Sequence, residues 1–115
     1  MKNRKKLKHL DCTLRDGGYY TNWDFSDSFI NEYMDVISHS SVDICEIGFR
    51  TINNQGFKGA LAFCSDEFLD SLTIPKNLKI SVMINASELI NSNNEKQILR
   101  DLFPRDASNS RVKIV

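Results

Sequence analysis

At 115 residues the chain is long enough for one domain or part of one, and 41% hydrophobic residues with 10% aromatics exclude a disordered tail. Fifteen Lys and Arg balance 15 Asp and Glu, so net charge supplies no pull toward a polyanion. No apolar run approaches the ~20 residues of a membrane span, and no apolar stretch follows the basic start as a secretory signal requires.

Lys2, Arg4, Lys5, Lys6 and Lys8 crowd the amino terminus. Without interleaved aromatics or a wider basic stripe they read as a solvated lead-in, and neither a nucleic-acid nor a membrane partner is expected. Residues 7 to 13 alternate loosely and end in polar residues and glycines, which predicts a strand feeding an active loop. Phe29, Ile30, Tyr33, Met34, Val36 and Ile37 form an apolar stripe at helical spacing. Ser26 is placed to cap that helix, with Asp27 and His39 suiting its dipole at the two ends.

A largely apolar second strand follows at residues 42–49. A polar stretch containing Gly56 and Gly59 separates it from a second helix over residues 65–72, stopped by Pro75. Residues 78–84 make a third strand, residues 95–102 a third helix ended by Pro104, and residues 111–115 a fourth strand. The order βαβαβαβ calls for a parallel sheet with covering helices, hence an α/β fold. Strand starts fall roughly 30–36 residues apart, close to the pitch of a (β/α)8 barrel. A flavodoxin-like open sheet has the same local pattern, and spacing does not separate the two. Cys12, Cys45 and Cys64 lie in apolar or strand-like contexts without Cys-x-x-Cys spacing, as expected of reduced, buried thiols in a cytoplasmic protein.

Arg15 and Asp16 fall just past the first predicted strand, at the sheet edge where parallel α/β folds carry their sites. Gly17 and Gly18 are expected to turn the backbone there and let a substrate approach closely. Glu46 ends the second strand, with Gly48 after it. An arginine between two carboxylates suits enolate chemistry. One carboxylate can hold a divalent cation that polarises a carbonyl, the guanidinium stabilises the developing oxyanion, and the other carboxylate steadies the arginine or moves a proton. A buried Arg–Asp pair plugging the barrel top is the structural alternative. Tyr20, Asn22, Trp23 and Asp24 form a polar-aromatic loop over the same region, suited to substrate contact or to plain packing.

Asp11-Cys12-Thr13-Leu14-Arg15-Asp16-Gly17 resembles the first-strand signature Asp-x-Thr-Leu-Arg-Asp-Gly of the DRE-TIM metallolyases. That superfamily includes hydroxymethylglutaryl-CoA lyase, 2-isopropylmalate and homocitrate synthases, and 4-hydroxy-2-oxovalerate aldolase. Glu46-Ile47-Gly48 follows at the spacing of its second-strand glutamate, and Gly17-Gly18-Tyr19 with Phe57-Lys58-Gly59 is closest to an aldolase-like branch. The resemblance implies that residues 1–115 form the N-terminal half of a TIM barrel, incomplete and inactive alone. It also implies a metal-dependent carbon–carbon lyase or aldolase acting on a 2-oxo acid, with an acyl-CoA-using Claisen enzyme or a non-catalytic half-barrel as alternatives.

By that resemblance Asp16 is a metal ligand for Mg2+ or Mn2+ (Zn2+ or Co2+ as substitutes), Arg15 the enolate stabiliser, Glu46 a supporting catalytic group, and Asp11 the residue that holds Arg15. Tyr19 stands where 4-hydroxy-2-oxovalerate aldolases carry a catalytic histidine, either as an acid/base or as an aromatic lid. The family's His-x-His metal pair has no counterpart, since His9 and His39 are the chain's two histidines and read as packing or capping residues. The expected partner besides the substrate is a C-terminal half-barrel, or a second copy joined through the exposed sheet.

Overall fold

The computed structural model describes residues 6–115, so Lys2, Arg4 and Lys5 of the basic lead-in lie outside the described residues. Strands β1 (Leu10–Asp11), β2 (Ile44–Arg50), β3 (Lys79–Ile84) and β4 (Val112–Ile114) are parallel and lie side by side in chain order. A flavodoxin-like sheet reverses direction at a switch point, whereas a barrel wall adds each strand to the outside of the last. The 1-2-3-4 order is that of a partial barrel.

Each crossover holds two helical pieces. After β1 come α1 (Thr13–Thr21) and α2 (Asp27–Ser38), and after β2 a 3-10 turn (Ala60–Ala62) and α3 (Asp66–Ser71). After β3 come α4 (Ala86–Ile90) and α5 (Glu95–Leu102). In every case a short piece follows the C-terminal end of a strand, and a second helix follows it. The expected first strand over residues 7–13 is thus corrected to two residues, with Thr13 already helical. Asp11 explains the early stop: its carboxylate accepts from the Thr13 backbone N–H at 3.1 Å and from Thr13 Oγ1 at 3.0 Å, an Asx turn that ends the strand.

Sequence chemistry accounts for the second helix of each crossover. Ser26 Oγ accepts from the Phe29 N–H and Ser65 Oγ from the Phe68 N–H, both at 3.2 Å, capping α2 and α3. Ile30, Met34 and Ile37 of α2 are buried against Cys45, Ile47, Ile80, Val82 and Val112 of the sheet, with Leu14 and Leu69 completing the core. Cys45 and Cys64 are free and buried, and Cys12 is half-buried. Burial in apolar surroundings pushes the Cys45 thiol up to about 12, and raises Cys64 as well.

β2 carries an extra residue. Glu46 pairs with Ser81 and Gly48 with Val82, so Ile47 has no opposite number. Ser81 and Met83 share a face of β3, and their partners Glu46 and Phe49 therefore share a face of β2 although three residues apart. The same slip sends Arg50 to the other face, where it is 2% exposed. There Arg50 Nε donates to the Cys64 carbonyl, Nη1 to the Leu102 carbonyl and Nη2 to Asp66 Oδ1, each at 2.9 Å, and the guanidinium lies over the Phe103 ring. Ser110 donates a further 2.7 Å bond to Asp66 Oδ1, so one buried ion pair ties β2 to α3, α5 and the approach to β4.

Burial opposes the charge on Asp66, but the bonds from Ser110 and Arg50 outweigh it and hold the carboxyl below its ordinary 3.8. A depressed folded-state pKa stabilises the fold above the unfolded value, and that contribution is lost as pH falls through the folded value. Stability is therefore expected to decline as pH drops below 3.8. Asp66→Asn is expected to flatten that decline and to cost about 3–5 kcal/mol at neutral pH by stranding Arg50. Urea unfolding across this range, comparing wild type and variant, measures both effects.

Among the described residues the outer edges of β1 and β4 have no strand partner. The face opposite the core carries Leu10, Ile44, Phe49, Met83 and Ile114, none fully buried. A parallel sheet normally has both faces covered. The isolated 115-residue chain is expected to self-associate, with a light-scattering mass above that of one 13.2 kDa chain. A monodisperse monomer at micromolar concentration is the contrary result.

Candidate active site

Because Asp11 stops β1 early, α1 starts at the sheet's C-terminal edge and packs against β2. Arg15, in its first turn, meets Glu46 across that edge: Nε donates to Oε1 at 2.8 Å, with the side chains 19% and 14% exposed. Asp16 follows on α1, its Oδ1 3.4 Å from Arg15 Nη1 and its side chain 72% exposed. Partial burial works against the Arg15 charge, but the bond and attraction to Glu46 prevail and raise its pKa above the ordinary arginine value. The arginine is thus a fixed cation, gripped on one edge. Among the described residues its Nη2 and the Glu46 Oε2 make no hydrogen bond, which leaves both atoms open to a ligand.

Arg15, Asp16 and Glu46 come together; Asp11 does not join them. Asp11 pairs in register with Cys45, on the face opposite Glu46, and accepts a 2.8 Å hydrogen bond from the Tyr33 hydroxyl. Burial, followed by the bond to Asp11, pushes Tyr33 up to about 12. Arg15 is held by Glu46 instead. His9 and His39 are also elsewhere: the His9 ring lies 3.2 Å from Ser41 Oγ, and His39 Nδ1 lies 2.7 Å from the Asp35 carbonyl at the end of α2.

Gly17 and Gly18 lie inside α1, so the expected glycine turn is not at these residues. Left-handed backbone comes instead at Asn22 and Trp23, at φ 55° and 56°, which reverse the chain after α1. Gly18 serves a close approach: a Cβ there would fall 1.9 Å from Trp23 Cδ1. The indole lies on that bare backbone and donates from Nε1 to the Arg15 carbonyl at 2.9 Å. Gly59 N–H donates to the Asn22 carbonyl at 2.7 Å, so the loop after β2 fastens the same turn.

Tyr19, four residues after Arg15 on α1, meets Trp23 edge to face at 4.9 Å between ring centroids, and Phe49 meets Trp23 at 5.5 Å. These three rings wall a cleft of about 170 Å3 whose polar lining includes Thr51, Asn53, Lys58, Asn85 and Glu88. The Thr51 hydroxyl donates to Glu88 Oε1, and the Ile52 N–H donates to Oε2 at 3.4 Å. Phe49, Thr51, Asn85 and Glu88 carry no motif. Their signal was positional, since Thr51 and Asn85 are the first residues beyond β2 and β3.

Among the described residues no three His, Cys, Asp or Glu side chains gather as a metal site. Asp16 is an exposed carboxylate on the rim, while Glu46 gives one of its two oxygens to Arg15. Because Mg2+ takes about six oxygen ligands, these donors fit one corner of a coordination shell and not the whole.

No family model matches the chain, and no curated protein does. A solved structure described as the N-terminal domain of a "putative aldolase" from Bacteroides vulgatus matches with a TM-score of 0.66 at 33% identity. The match covers 84% of this chain and 33% of that one, so this chain spans about a third of its neighbour's length. The fold is aldolase-like. No helix among the described residues is long and apolar enough to cross a membrane.

The two glycines of α1 make a paired test. Gly17→Ala meets open space and should stabilise the helix by about 0.5–1 kcal/mol. Gly18→Ala gains the same helix propensity but drives a methyl into Trp23, and the clash should prevail with a net loss of about 1–2 kcal/mol. Urea unfolding reads the energies, and a change in tryptophan emission confined to Gly18→Ala reads the displaced ring.

Proposed function

We propose that this chain supplies the β1 and β2 part of the active site of an aldolase or lyase that breaks or forms a carbon–carbon bond through an enolate, with a 2-oxo acid as substrate. The observation that carries the reading is the Arg15–Glu46 contact at the C-terminal edge of a parallel sheet, with Asp16 beside it. The aldolase-like fold of the matched domain from Bacteroides vulgatus supports it.

In the cleavage direction, Glu46 Oε2 takes the proton from the substrate's 4-hydroxyl. The C3–C4 bond breaks, C4 leaves as an aldehyde, and the electron pair passes to the C2 oxygen of the 2-oxo acid half. Arg15, through Nη2, donates to that oxyanion, and protonation at C3 completes the step. Asp16 contributes one ligand to a divalent cation, Mg2+ or Mn2+, which when bound polarises the substrate carbonyl as a Lewis acid. The proposal requires further ligands from residues beyond those described. Tyr19 forms part of the aromatic wall.

The test is turnover of 4-hydroxy-2-oxo acids with Mg2+ or Mn2+, in a protein that carries this chain and completes the metal shell. Arg15→Ala and Asp16→Asn should each lower kcat/KM by about 10²–10³ or more while the circular dichroism spectrum stays that of the folded protein. Activity within a few-fold of wild type in both variants contradicts the mechanism.

A further inference from the structure

The opposite edge of the sheet carries a second recess with a different lining. Lys79 opens β3 and Arg111 directly precedes β4, so both stand at the N-terminal edge of the strands. With Lys76 and Lys113 they line a cleft of about 350 Å3 whose remaining lining is Ile74, Pro75, Leu78 and Ile80. All four cations are exposed, while Leu78 and Ile80 are buried. β3 is six residues long, so this cleft lies about 17 Å along the strand from the edge that holds Arg15 and Glu46.

The lining holds four positive groups and no carboxylate, in a chain whose charges balance at 15 and 15. Among the described residues none of the four enters an ion pair, and only Lys113 has a side-chain hydrogen bond, from Nζ to the Ala107 carbonyl at 2.5 Å. The next recess, beyond Lys79, holds the carboxylate of Asp43 together with a fifth cation, Lys8, and so adds as much positive charge as negative. The Asp43 carboxylate is itself engaged by the His9 backbone N–H at 2.9 Å. Neither stability nor the helix dipoles account for the gathering. Like charges around one cleft repel, and none of the four lies in the last turn of a helix, where a cation is stabilising.

We propose that this cleft binds a small anion of three or more charges, a polyphosphate or a polycarboxylate, at a site separate from the carbonyl chemistry. A neutral or cationic occupant leaves all four cations uncompensated, and a singly charged anion leaves three. The aliphatic walls have a low dielectric, which focuses the field of the cations on the interior and strengthens the attraction to a multivalent ion. The Arg111 guanidinium can grip two oxygens of one phosphate or carboxylate, and the lysine ammonium groups answer the remaining charge. The volume suits a small molecule. A nucleic-acid strand would need aromatic rings for its bases, and the lining has none.

The experiment is calorimetric titration of the full chain with inorganic tripolyphosphate at constant ionic strength, with citrate, acetate, spermidine and short duplex DNA as separate arms. The expected result is saturable binding of tripolyphosphate or citrate, one ion per chain, with the tighter of the two naming the source of the charge. Acetate and spermidine should bind weakly or not at all. In the double variant Lys79→Gln/Arg111→Gln the dissociation constant should rise at least about tenfold, as expected for loss of hydrogen bonds between charged groups. Lys76→Gln, at a turn outside the strands, should weaken binding in the same direction, and an unchanged circular dichroism spectrum establishes that each variant is folded. Lys96→Gln removes an equal charge from the exposed start of α5, outside the cleft, and should bind within about twofold of wild type because solvent screens that charge. No saturable binding of either polyanion, acetate bound as tightly, wild-type affinity in both cleft variants, an equal loss in Lys96→Gln, or tighter binding of duplex DNA overturns the proposal. The site makes no use of Arg15 or Glu46, so this outcome is independent of aldol turnover.

Discussion

A β-strand alternates its side chains strictly, and β2 has to place three groups against that rule. Glu46 must face the open side to reach Arg15, Phe49 must face the same side to wall the cleft, and Arg50 must face the helices to meet Asp66. Regular alternation would put Glu46 and Arg50 together and send Phe49 away. The unpaired residue at Ile47 resolves the conflict by adding one step between Glu46 and Phe49. Gly48, beside it, lies so close to the Leu61 carbonyl that a Cβ would stand 2.0 Å away. The bulge is therefore set from both sides, by β3 in the sheet and by the 3-10 turn that packs on it.

This arrangement separates two kinds of electrostatics. On the helix face, Arg50 and Asp66 are almost fully enclosed, and their value lies in joining segments far apart in sequence. Breaking such a pair is costly because the surviving charge has no water to turn to. On the open face, Arg15 and Glu46 are partly exposed and each retains an unused hydrogen-bonding position. The enclosed pair is structural, although its Asp66 Oδ2 is buried without a hydrogen-bond partner, and the pair at the strand edge is open enough to meet a ligand. The two arginines stand on opposite sides of one sheet and differ in this respect.

An apolar stripe and the Ser26 cap revealed α2, and the stops at Pro75 and Pro104 bounded α3 and α5. Periodicity missed α1 and α4. In α1, Gly17 and Gly18 look like a turn in sequence, and only the packing of Trp23 over Gly18 explains why a poor helix former belongs there. The pairing of Arg15 with Glu46 was legible from the motif and the strand-edge position. The isolation of Asp11 from Arg15 was not, because it depends on which face of β1 the residue takes in register with Cys45. The Arg50–Asp66 pair and the cleft were equally hidden: their members come from separate crossovers, and the bulge that sorts them leaves no mark in hydrophobic pattern.

Trp23 belongs to two structures at once. Its ring walls the cleft, and its indole N–H is bonded to the carbonyl of Arg15, in the turn that carries the guanidinium. The ring cannot tilt without lengthening that bond or shifting the α1 backbone, and Gly18 beneath it leaves no slack. Whatever displaces the indole is thereby mechanically connected to the orientation of the Arg15 guanidinium.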